Sequence, residues 1–168
     1  MKIYFINIIA VLMMINSFQQ NLIGKHISQI PEAHLKKDKE SNRIKIYDVN
    51  KNYHFFGEKC NSISIATNKN DIIQYFTFFL FEIVDQSFLD LVIKEYGNPS
   101  LIYNIDQFAS GEEKISNTGF SSRPITLKEC GLNDNPFLII WEKQGYKIEI
   151  QLHRESNYTM FTIGNRDF

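Results

Sequence analysis

Residues 72–81 constrain the fold of this chain more than any other stretch. Ile72, Ile73, Gln74, Tyr75, Phe76, Thr77, Phe78, Phe79, Leu80 and Phe81 include no charged residue. Aromatic and β-branched side chains favour a strand over a helix here, because they pack well on a pleated surface. Side chains alternate across a strand. Gln74, Phe76, Phe78 and Leu80 therefore share one face, and Ile73, Tyr75, Thr77, Phe79 and Phe81 share the other. Both faces are largely apolar, which suits a central strand covered on both sides. If only one side is covered, the other becomes a candidate contact surface.

Shorter segments repeat the period of two. Ile44 and Ile46 alternate with Lys45 and Tyr47, and Ile63 and Ile65 alternate with Ser62 and Ser64. Tyr53–Phe56 is brief and ends at Gly57, and Leu101–Ile105 is a further strand. Phe137–Glu142, Tyr146–His153 and Tyr158–Ile163 form a meander. In its middle strand Tyr146, Ile148, Ile150 and Leu152 make a dry face against Lys147, Glu149, Gln151 and His153. The spacing of Phe88, Leu89, Val92, Ile93 and Tyr96 predicts a helix over about 86–96, capped by Asp85 or Ser87 and stopped by Gly97 and Pro99. A helical turn is expected to start at Pro31, and another to run from Thr126 to Cys130. The run Lys36, Lys37, Asp38, Lys39, Glu40 and Arg43 reads as a solvated loop or helix end, because its signs alternate. The expected fold is α+β: an antiparallel sheet of five to eight strands with one main helix on one face.

The amino terminus sets the expected compartment. Lys2 precedes an apolar run from Ile3 to Ile15, followed by Asn16, Ser17, Gln19 and Gln20. This is the pattern of a secretory signal, and the run is too short for the ~20 residues of a membrane span. Residues 1–20 are read as a signal peptide and 21–168 as a single domain, secreted or periplasmic. An uncleaved tether is the alternative. The formal charge of −1 becomes −2 once Lys2 is removed, so no basic stripe offers itself to nucleic acid. Cys60 and Cys130 are the only cysteines. Export permits a disulfide between them, which would stabilise the fold by ~4 kcal/mol in the chain-entropy model. Two independent buried thiols are the alternative.

Motifs of catalysis are missing. The chain has no G-x-S-x-G elbow, phosphate-binding glycine loop, dinucleotide fingerprint or H-E-x-x-H pair. His26, His34, His54 and His153 are scattered, and neither cysteine has a C-x-x-C partner, so no metal or other cofactor is expected. Glu112 with Glu113 reads as a solvated loop pair, and Asp85 with Asp90 as helix-start acids. Asn157-Tyr158-Thr159 matches the glycosylation sequon.

The stretch Phe88-x-x-x-Val92-x-x-x-Tyr96-Gly97-x-Pro99, after an apolar strand, resembles a helix-to-strand element of small exported bacterial α+β domains of the β-lactamase-inhibitor-protein type. The resemblance implies a sheet that binds other proteins, and it transfers no binding residue. The expected function is therefore that of a non-enzymatic binding or accessory protein of the cell envelope or extracellular space. It would contact another protein or an apolar ligand through a sheet face bearing Tyr75, Phe79 and Phe81, or through the 106–135 loop, or its strands would complete a partner's sheet. The alternative is an envelope hydrolase that gathers His153, His54 and an acid under a 106–123 lid.

Overall fold

Alternation sorts the chain onto the two faces of one sheet. The computed structural model describes residues 21–39, 44–49, 53–108, 114–115, 121–122 and 125–166. Its strands are β1 (His34–Lys39), β2 (Ile44–Val49), β3 (Tyr53–Phe55), β4 (Glu58–Asn68), β5 (Ile73–Leu80), β6 (Leu101–Phe108), β7 (Lys114–Ile115), β8 (Ser121–Ser122), β9 (Ile125–Glu129), β10 (Leu138–Lys143), β11 (Tyr146–His153) and β12 (Tyr158–Asn165). The single α-helix among the described residues, α1 (Gln86–Tyr96), connects β5 to β6. Nine strands run in the order β1-β2-β4-β5-β12-β11-β10-β6-β9, and β3 also pairs with β4, making a ten-stranded sheet. β7 and β8 pair only with each other.

The uncharged run becomes β5, in the middle of the sheet between β4 and β12. Its inner face holds Phe76, Phe78 and Leu80, all buried. Phe76 lies between Ile65 and Ile163, and Phe78 between Ile63 and Phe161. The dry face of β11 continues this layer, because Ile148 and Ile150 pair with Ile163 and Phe161 on one side and with Trp141 and Ile139 on the other. α1 covers the same face with Phe88, Leu89, Val92 and Tyr96. Phe55 fills the space between helix and sheet. It stacks on Phe78 at 4.5 Å and meets Phe161 edge-on at 4.5 Å.

Both ends of α1 follow the expected chemistry. Asp85 caps the start by accepting from the Phe88 N–H at 3.0 Å. Gly97 ends it with φ +77°, a conformation that a Cβ disfavours. Trp141 Nε1 donates to the Gly97 carbonyl at 2.7 Å, tying the helix end to β10.

Four expectations are corrected. The sheet has more strands than the five to eight expected, so the domain is sheet-dominated. The charged run at 34–39 is a strand because an edge strand needs partners on one side only, and lysines on such an edge discourage foreign pairing. Residues 125–129 are strand β9 and not a helical turn, because their backbone pairs with β6. The short helical element near Pro31 sits earlier, as a 3₁₀ turn at Ile27–Gln29. Residues 1–20 lie outside the described residues. No helix among the described residues is long and apolar enough to cross a membrane.

Candidate functional site: the sheet face opposite the helix

The pleat that buries Phe76 and Phe78 turns Tyr75, Thr77 and Phe79 to the other face. Cross-strand partners share a face, so the register lays out its rows. In one row Phe79 lies beside Met160, Met160 beside Gln151, Gln151 beside Leu138, and Leu138 beside Tyr103. Each of these side chains is half-buried. The next row runs from Thr77 through Thr162, Glu149 and Ile140 to Leu101. The hydroxyls of Thr77 and Thr162 lie 3.1 Å apart and share a buried hydrogen bond within this second row. Lys147 and Glu149 form an ion pair at 2.9 Å on β11, each side chain about four-fifths buried. The face is thus neutral in charge along β11 and apolar to both sides of it.

The candidate contact residues divide. Tyr75 and Phe79 lie on this face, four positions apart, with Thr77 between them. Burial raises the pKa of the Tyr75 phenol, keeping it a neutral hydrogen-bonding group. Phe81 lies past the end of β5 and is 59% exposed. It borders an open cavity of about 320 Å³ with Glu58, Lys59, Glu82, Ile83 and Asp85, between the β3–β4 turn and the lead into α1. A second cavity of about 270 Å³ lies between the start of α1 and residues 132–136.

The histidines do not converge on a cavity. His153 is half-buried on β11, stacked on Tyr158 at 4.3 Å with Phe137 edge-on at 5.4 Å. Its Nε2 is 3.2 Å from the Gln151 amide oxygen, a group that neither takes nor relays a proton. Burial lowers its pKa, so the imidazole is neutral at neutral pH. His54 is exposed on β3 opposite Lys59. Four strand steps separate β3 from β11, on the order of 19 Å at the usual spacing. Neither histidine borders either cavity. His34 is exposed on β1 opposite Asp48, and His26 Nδ1 accepts from the Ser28 N–H at 3.2 Å to cap the 3₁₀ turn. No group of three His, Cys, Asp or Glu among the described residues could hold a metal ion.

The carboxylates serve the fold. Asp85 caps α1, and Asp90 accepts from the Gln86 amide at 2.9 Å. Glu112 and Glu113 lie outside the described residues, as does much of the proposed 106–123 lid. Both cysteines are free thiols. Cys60 is fully buried on β4 beside Leu80, and Cys130 follows β9 at the far edge of the sheet, with its N–H bonded to the Ile102 carbonyl. Five strands lie between β4 and β9, so the bridge permitted by export is not formed.

The breadth of the face escapes a reading centred on residues 72–81. Leu138, Ile140, Met160, Leu101 and Tyr103 occupy positions where a wet face would carry polar side chains. That mismatch is the sequence signal for them, and it is visible only once the register aligns the strands. Searches among protein-family models, curated proteins and solved structures find no match to this chain.

Proposed function

We propose that this chain is an exported, non-enzymatic binding protein that holds another protein against the sheet face opposite α1. One observation carries the reading: aromatic and aliphatic side chains recur on β5, β12, β10 and β6 of that face, on both sides of β11, while the helix packs on the opposite side. Aromatic side chains provide large contact area with few torsions to freeze, which suits a protein-binding surface. The Lys147–Glu149 pair favours a broad partner, because its charges are already matched and need no counter-charge when covered. The amino-terminal segment supplies the export signal.

The test uses the purified protein, immobilised and exposed to envelope extracts. A partner captured by the wild type should be lost with Phe79→Ser and with Leu138→Ser and kept with Phe81→Ser, the Trp141 fluorescence of all three remaining native. Equal capture by the wild type and both face variants refutes the assignment of this face. Fractionation that leaves the protein in the cytoplasm refutes export.

A further inference from the structure

The edge of the sheet at β9 carries an inference separate from the face. β9 pairs with β6 on one side and, among the described residues, ends the strand order on the other. The Cys130 N–H donates to the Ile102 carbonyl on β6. In an antiparallel ladder the N–H and C=O of one residue point to the same side, and the side alternates along the strand. Lys128 and Thr126 therefore direct their backbone groups to β6, whereas Ile125, Leu127 and Glu129 direct theirs outward. The residues from Thr126 to Glu129 are exposed, and Leu127 shows 39% of its surface to solvent. An unpaired row of this kind is a template for another extended strand.

The two edges of the sheet differ. β1 carries Lys36, Lys37 and Lys39 and a register irregularity between Leu35 and Lys37, devices that discourage pairing. β9 has a single lysine, and the irregularity in its ladder with β6, between Ile105 and Gln107, falls on β6.

We propose that β9 pairs antiparallel with β9 of a second copy of this chain, about a twofold axis at Leu127. The strand is its own complement in this register. Leu127 meets Leu127, Thr126 meets Lys128, and Ile125 meets Glu129, so no like charges lie directly opposite. The outward residues pair reciprocally, giving about six backbone hydrogen bonds. A shift that centres the axis on Lys128 sets two lysines opposite each other, and a shift to Thr126 leaves Lys128 and Glu129 unpaired. Only the Leu127 register engages all five residues. Leu127 lies on the face opposite α1, beside Ile105, so the pairing extends that face across two copies.

Analytical ultracentrifugation of the purified protein from about 1 μM to about 1 mM tests this. The interface is short, so a dimer that grows with concentration across that range is expected. Leu127→Pro removes an outward N–H and none of the bonds to β6, and it should weaken dimerisation at least about tenfold. Amide exchange on the wild type is independent of any variant's folding. Protection at Leu127 and Glu129 should rise with concentration, and protection at Lys128 should not. A monomer throughout the range overturns the proposal. So does a dimer that Leu127→Pro leaves intact, or one that forms with no change at those two amides.

Discussion

Phe55 and Phe81 are the same residue type near the same end of the sheet, yet truncating them should have very different consequences. Phe55 belongs to a three-residue strand and is 2% exposed, stacked on Phe78 and edge-on to Phe161. Phe55→Ala removes on the order of 100 Å² of buried apolar surface, worth about 2.5 kcal/mol at ~25 cal/mol per Å². A residual cavity adds up to about 2 kcal/mol if the neighbours do not relax. β3 is short and can settle inward, so we expect a loss of about 3–4 kcal/mol. That is a large share of the ~5–15 kcal/mol typical of a domain, and it should lower Tm by roughly 6–16 °C. Phe81→Ala should cost under about 0.5 kcal/mol, because its ring is 59% exposed. Urea denaturation followed by fluorescence reads both, since Trp141 is the only tryptophan and is fully buried on the inner face. A loss below about 1 kcal/mol for Phe55→Ala, or equal losses for the two variants, would refute the placement of β3 under the helix.

Thr159 offers a test of the route into α1. Its buried hydroxyl accepts from the Val84 N–H at 3.2 Å and donates to the Glu82 carbonyl at 2.9 Å, so Thr159→Val should cost about 1–3 kcal/mol in the same urea experiment, with Thr159→Ser much milder. Asp71 ties β2 to the β4–β5 turn by accepting from Lys45 at 2.9 Å and from the Tyr47 hydroxyl at 2.7 Å, and these bonds hold its carboxyl below the usual carboxylate range. A carboxylate with a lowered folded pKa contributes stability that is present above its unfolded value of ~3.9 and is lost as pH falls through the folded value. Urea midpoints measured from pH 6 down into that acid range should therefore fall less steeply for Asp71→Asn than for the wild type. The thiols are the third test: alkylation without reductant should label Cys130 in the native protein and Cys60 only after unfolding, and mass spectrometry should find no Cys60–Cys130 link. Both thiols are pushed above their ordinary pKa by burial, so labelling should speed up as pH rises.

Local patterns that depend on neighbours in the chain were legible from the sequence. The stripe from Phe88 to Tyr96, the cap at Asp85 and the stop at Gly97 define α1 through contacts one turn apart. Alternation from Tyr146 to Leu152 defines β11 because the pleat has a period of two whatever lies next to it. The uncharged run at 73–80 made β5 central for the same kind of reason. Tertiary structure decided the remainder, because pairing between strands depends on residues far apart in sequence. β1 and β9 are strands only because β2 and β6 offer them a backbone to bond, against polar compositions that suit a loop or a helical turn. Register likewise brought Phe79, Met160, Leu138 and Tyr103 into one row from four strands, and the strand order placed five strands between Cys60 and Cys130. Composition gave neither thiol a reason to be near or far from the other. The distance between them follows from the order in which ten strands join.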